Sequence, residues 1–215
     1  TSSGTTGLWV ALKAAGVKAG DEGIVPPYTF IATASAVPMA NAVPVFVAID
    51  ENALNIDPAL IEAAITEKTR AIMPVHISGN PADMDQILAI GSKYGVSIIE
   101  DACQAYGSYY KNRPCGSFGD YSVLSFGHTK ILDTGHGGAI LTDNAQDVEM
   151  IRNKSGKLIS YNKQEHDRLS SNHRDRYYKL QALSRNNPAK VVLFEKLLKG
   201  FMENFIHGID YSSLK

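Results

Sequence analysis

The chain of 215 residues carries 21 Lys and Arg against 22 Asp and Glu, a formal charge of −1, and 44% of its residues are hydrophobic. That composition excludes a collagen-like, disulfide-framework, wholly disordered or globally cationic nucleic-acid-binding chain and leaves a globular domain. At this length roughly 70% of the surface of the unfolded chain can be buried, so no structural metal is needed, and Cys103 and Cys115, twelve apart and without a zinc-type companion, are read as reduced thiols of a cytoplasmic protein.

The chain opens with SSGTTG, small hydroxyl residues and Gly4 placed immediately before a helix. In that helix Leu8, Ala11, Leu12 and Ala15 follow the i, i+3, i+4, i+7 spacing up to Gly16. Exposed amides at a helix start favour an anion, and Thr5 and Thr6 could add hydroxyl donors to a phosphate. Ser and Thr also cap helices with no ligand present, and no GxGxxG or GxxxxGK[ST] motif strengthens the nucleotide reading.

Six short runs rich in Val and Ile follow: 23–27, 44–49, 71–76, 97–102, 121–126 and 139–142. Turn residues bound them, as expected of strands buried on both faces. Between the second and third, Asp57-Pro58 marks a helix start with Leu60, Ile61, Ala64 and Ile65 as its buried face. Between the third and fourth, Met84, Ile87, Leu88 and Gly91 form another helical stripe, ended by Gly95. This alternation predicts an α/β fold, a mostly parallel sheet with helices on both faces, whose ligands sit at the carboxyl ends of the strands.

After residue 150 the character changes. Residues 1–150 hold 8 basic against 16 acidic side chains, a balance of −8, whereas residues 151–190 hold 10 against 3, a balance of +7. The basic stretch reads as a solvated helical face or as a contact for an anion or partner. AKVVLFEKLLKGFMENFI, residues 189–206, reads as one amphipathic helix. The expected division is a large domain over 1–150 and a basic linker with a helical appendage over 151–215. No run approaches the roughly 18 apolar residues of a membrane span, and TSSGTTG lacks the charged and apolar regions of a secretory signal, so a cytoplasmic location is expected.

Asp101, in IEDACQA, stands at the expected end of a strand. A buried carboxylate there must face a cation or a strong donor, unless it caps the following segment. Ser125 and Lys130 lie five apart in the turn after another strand. Such a lysine is either solvated or, beside a site that favours its neutral amine, able to form an imine. His76, His128 and His136 lack carboxylate or thiol companions at ligand spacing, so no metal is expected. Phe118, Tyr121 and Phe126 are read as core, and Trp9 as packing on the first helix.

SSGTTGL, GDEGIVPPYTFIATASAV, PVFVAIDENALNIDPALIEAAIT, AIMPVHISGNPADMDQI, IEDACQAYGSYYKNRPCGSFGD and SFGHTKILDTGHGG occur in this order over residues 1–150. With them the chain resembles the DegT/StrS-type sugar aminotransferases, pyridoxal 5'-phosphate enzymes of the aspartate-aminotransferase fold, or fold type I. The resemblance implies that Lys130 forms an imine with the cofactor and that Asp101 pairs with its pyridinium nitrogen. It puts Gln104, where several members have His, near the phenolic oxygen, Phe30 on the ring face, and Thr5, Thr6 and Ser125 on the phosphate side. Related dehydratases replace the lysine with histidine. Retention of Lys130 therefore implies transamination of a keto sugar, expected to be nucleotide-linked, with an amino acid donor such as glutamate, to give an amino sugar. Family active sites lie between two subunits, so a homodimer is implied. Members run to about twice this length. The resemblance calls for a segment before the phosphate loop and a small carboxy-terminal domain that are not recognisable in these residues, so a fragment, a truncated product or a divergent member is expected, and HRDRYYKLQAL matches the corresponding family segment too poorly to carry a role. The alternatives are a non-catalytic cofactor-binding or regulatory module of the same fold, and a sugar dehydratase or lyase.

Overall fold

Strand alternation organises the molecule. In the computed structural model, which describes residues 1–156, successive residues of the central strands enter two different cores. Val25, Ala71 and Ile99 pack with Leu8 and Leu12 of helix α1 (Gly4–Ala14) and with Ala36 and Val37 of α2 (Ala32–Met39). Their chain neighbours Ile24, Ile72 and Ile98 pack with Ile61 of α3 (Pro58–Ala64) and with Met84 and Ile87 of α4 (Met84–Tyr94). Side chains that point alternately to opposite faces, both apolar, require a helix on each side.

The sheet has six strands: β1 (Glu22–Val25), β2 (Val43–Phe46), β3 (Thr69–Ile72), β4 (Ser97–Asp101), then, after the hairpin β5 (Tyr109–Tyr110) and β6 (Arg113–Pro114), β7 (Tyr121–Ser125) and β8 (Gly138–Leu141). Their order is β2-β1-β3-β4-β7-β8, parallel except for the antiparallel pair β7 and β8. The expected mostly parallel sheet with helices on both faces is what forms. The last described helix, α5 (Ala145–Gly156), runs across residue 150. The rest of the basic stretch and the helix expected at 189–206 lie outside the described residues. No helix among the described residues is long and apolar enough to cross a membrane.

The helix ends read from sequence carry the expected caps. Asp57 accepts from the Ala59 amide with Pro58 in the first turn, and Gly95 ends α4 at φ +63. Several burial expectations fail. Phe46 and Leu141 are exposed because β2 and β8 are edge strands with one neighbour each, and Leu60 is exposed because the seven-residue α3 turns Ile61, with the partly buried Ala64, toward its core. Trp9 packs as expected, its Nε1–H donating to the Met39 carbonyl at 2.9 Å and tying α1 to the end of α2.

Helix α1 lies unusually close to the sheet. A Cβ at Gly7 would come within 2.7 Å of Val123 Cγ1, and one at Gly4 within 2.8 Å of Cys103 Sγ and 2.9 Å of Ser125 Cβ. Only glycine at these positions lets the first turn of α1 rest on the carboxyl end of β7.

Candidate functional site

The first turn of α1, the end of β4 and the end of β7 meet around two adjoining cavities. The smaller, of about 80 Å³, is lined by Gly4, Thr5, Asp101, Ser125 and Lys130 among others. The larger, of about 510 Å³, is lined by Tyr28, Phe30, Ser78, Gln104, Lys130 and Ile131 among others. Phe30, Cys103, Gln104 and Lys130 line both. Six of the seven residues singled out in the sequence thus share one place.

The seventh, Thr6, has other work. Ser3 is the N-cap of α1, its hydroxyl accepting from the Thr6 amide at 3.1 Å, while Thr6 Oγ1 accepts from the Ser3 amide at 3.0 Å and donates to the Ser3 carbonyl at 3.0 Å. This reciprocal cap occupies the Thr6 hydroxyl, and Thr6 lines neither cavity. The cap leaves the two preceding amides, of Gly4 and Thr5, without an acceptor among the described residues. With the positive end of the helix dipole behind them, these amides favour an anion.

Asp101 is 4% exposed. Its Oδ2 accepts from Thr33 Oγ1 at 2.7 Å, and its Oδ1 accepts from the Cys103 amide at 3.1 Å. Thr33 is held by Thr29 through a hydroxyl contact of 2.8 Å. One carboxylate oxygen is therefore anchored by α2 and the other by the turn after β4, and each keeps a lone pair for a further donor. Burial, reinforced by the charge of Asp101, pushes the Cys103 thiol far up, so it stays protonated and is no nucleophile.

Lys130 rides on the loop between β7 and β8. Its Nζ lies 5.8 Å from the centre of the Phe30 ring, which is 63% exposed. The loop is closed by the Phe126 amide donating to Gly137 O and the Thr134 amide donating to Phe126 O, each at 3.0 Å, and His128 Nδ1 lies 3.3 Å from Asp133 Oδ1 inside it. Its far end is pinned to the chain start, for the Gly137 amide donates to Ser2 O and the Gly138 amide to Thr1 O, both at 3.0 Å. Gln104 accepts at Oε1 from the Ser78 amide at 2.9 Å.

Behind the site lies a network that the sequence reading missed. Glu100 is fully buried and accepts from His76 Nε2 at 2.9 Å, from Ser122 Oγ at 2.7 Å and from the amides of Gly116, Phe118 and Gly119. The Ala82 amide donates to His76 Nδ1 at 3.1 Å, which leaves Nε2 to carry the proton given to Glu100. Burial alone would raise the Glu100 carboxyl, but the His76, Gly119, Ser122 and Gly116 hydrogen bonds pull it down to about 2. No group of three or more His, Cys, Asp or Glu suited to a metal occurs among the described residues. Tyr121 is buried as expected, with its hydroxyl donating to Asp147 of α5 at 2.6 Å, while Phe118 and Phe126 are only half-buried.

The profile of the DegT/DnrJ/EryC1/StrS aminotransferase family matches residues 1–184. Among curated proteins, the L-glutamine:2-deoxy-scyllo-inosose aminotransferase of Micromonospora echinospora is 48% identical over 145 residues, 67% of this chain and 34% of its own. Among solved structures, NtdA of Bacillus subtilis with bound cofactor PMP is 40% identical at a TM-score of 0.65, covering 72% of this chain and 34% of its own. DesI, solved in the presence of its TDP-sugar product, is 38% identical at a TM-score of 0.67, covering 71% and 38%. The chain spans less than half the length of the curated relatives it matches.

Proposed function

The chain belongs to the DegT/DnrJ/EryC1/StrS aminotransferase family, and on that premise we propose that it holds pyridoxal 5'-phosphate in the paired cavities and moves an amino group from an amino acid donor to a keto sugar. The observation that carries this reading is that the amine of Lys130 and the buried carboxylate of Asp101 line one cavity together with the open start of α1.

The donor set suits the cofactor. Asp101 has spare acceptor capacity for a protonated ring nitrogen, Phe30 offers an aromatic face, and the Gly4 and Thr5 amides with Thr5 and Ser125 supply donors for a phosphate. When bound, the cofactor supplies an electron sink and a carrier for the amino group. Asp101 keeps the ring nitrogen protonated. Lys130 would hold the group through its Nζ, and as a free amine it would take up and return a proton as base and acid in turn. Thr33, Thr29 and the Cys103 amide keep the Asp101 carboxylate in place. Gln104, which lines both cavities, would hold the group on its phenolic side, and Thr6 would act through the cap that leaves the helix start open.

The acceptor is a nucleotide-linked keto sugar, a reading supported by the TDP-sugar product of DesI. The donor is glutamate, with glutamine as the competitor suggested by the Micromonospora relative. A second copy of the chain completes the site of this cytoplasmic enzyme. The exposed apolar side chains at the cavity mouth, Tyr28, Phe30 and Ile131, with Ile31 beside them, are the surface that such a copy would cover.

Borohydride reduction of the cofactor-loaded protein should fix the cofactor on the peptide containing Lys130, and Lys130→Ala should abolish that adduct. Glutamate should then convert the cofactor to its aminated form, and a nucleotide-linked keto sugar should restore it. A deoxy sugar formed without amine transfer would refute the transaminase, and a stable cofactor-loaded monomer in sedimentation would refute the dimer.

A further inference from the structure

Ser78 sits at φ +51 and ψ +26, in the left-handed region that non-glycine residues avoid, and Gly79 follows at φ +84. A strained turn persists only where its surroundings fix it. Two side chains fix this one. The Ile77 amide donates to Asn55 Oδ1 at 3.2 Å, and the Ser78 amide donates to Gln104 Oε1 at 2.9 Å. Gly79 closes the turn against the segment that follows Gln104, where a Cβ would lie 3.2 Å from Ser108 Oγ.

An N–H group can only donate, so the end of the Gln104 carboxamide that meets Ser78 must be its oxygen. Its NH₂ therefore points elsewhere, and among the described residues it meets no acceptor, on a side chain that lines both cavities. We infer that Ser78 is a positioning residue whose amide fixes the Gln104 carboxamide as a hydrogen-bond donor toward the bound ligand, so that the ligand atom opposite must be an acceptor. The inference rests on the proposed cofactor for the identity of that ligand. The Ser78–Gln104 bond itself belongs to the free protein. A carboxamide free to flip could serve a donor or an acceptor, whereas one held by Ser78 discriminates between them.

Two variants of the full chain separate the parts. In Gln104→Glu the carboxylate still accepts from Ser78 but can no longer donate. In Gln104→Leu both functions are lost. Amide hydrogen exchange without cofactor should show Ser78 protected in the wild type and in Gln104→Glu, and exchanging at least tenfold faster in Gln104→Leu. Titration with pyridoxal 5'-phosphate should show both variants binding at least tenfold more weakly. The pH midpoint of the bound cofactor's visible band should move upward in Gln104→Glu, because a donor has been replaced by a negative charge, a change that merely loosening the fold would not produce. Equal exchange at Ser78 in all three proteins would overturn the positioning role. Wild-type affinity and an unmoved band in Gln104→Glu would overturn the donor role. Failure of the wild type to bind the cofactor at all would instead sink the cofactor reading, and the exchange comparison would then decide the positioning role alone.

Discussion

Glu100 and Asp101 are neighbours in β4, and their carboxylates go to opposite faces of the sheet. Glu100 is enclosed by His76, Ser122 and the 116–119 loop, whereas Asp101 meets Thr33 of α2 and lines the cavity. The pleat of one strand thus separates a charge that holds the scaffold from a charge that lines the cavity.

Glu100 makes stability depend on acid. Its carboxyl sits at about 2 in the folded protein against an ordinary 4.5, so the unfolded state binds the proton more readily. The stabilisation is complete above pH 4.5 and is lost as the pH falls toward 2, in total about 3 kcal/mol. Urea unfolding at stepped pH should show this loss, and Glu100→Gln should flatten it while lowering stability at pH 7.

The close approach of α1 to β7 predicts that Gly7→Ala destabilises by about 1–3 kcal/mol, because the new methyl group would meet Val123 Cγ1 at 2.7 Å in a packed core. Denaturant midpoints measure the effect. No change would mean that the helix can shift without penalty.

Thr5 and Thr6 should respond differently to the same substitution. Thr6→Ala removes half of the capping box and should lower stability by about 1 kcal/mol. Thr5→Ala should leave the thermal midpoint nearly unchanged and weaken cofactor affinity, since its side chain lines the cavity and takes no part in the cap. Calorimetric unfolding and cofactor titration on both variants separate the two effects.

Asp101→Asn keeps the shape of the side chain and removes the charge from the cavity wall. Turnover should fall roughly 10²–10³-fold, the scale of losing one preorganised electrostatic contact. Thermal stability should change far less than in Glu100→Gln, whose carboxylate gathers five donors rather than two. Single-turnover rates with the amino donor give the first number, and melting curves the second.

The six strands of the main sheet were legible as short apolar runs bounded by turn residues, and α3 and α4 because Asp57-Pro58 and Gly95 mark their ends, whereas the two-residue strands β5 and β6 are too short and too polar to set up such a run. Helix α2 was not. Ala32, Thr33, Ala36 and Val37 are its buried residues, small side chains within an apolar stretch that sets up no helical period. The lining of the site was legible through ordered motifs. The supporting bonds were not, since Thr33 and Asp101 are 68 residues apart and His76 and Glu100 are 24 apart, and pairing over such distances follows from strand order alone. The adjacent acids of Glu100-Asp101 held the one available clue, for alternation sends one of them behind the sheet.

The pairing of Thr1 and Ser2 with Gly137 and Gly138 bears on how the protein comes into being. During synthesis residues 1 and 2 emerge more than 130 positions before the backbone groups that pin them, wherever the whole chain starts. The lysine loop could not be cinched until then. Amino-terminal pieces ending short of residue 138 should therefore stay open to proteases at both places, and resistance should arrive at both together.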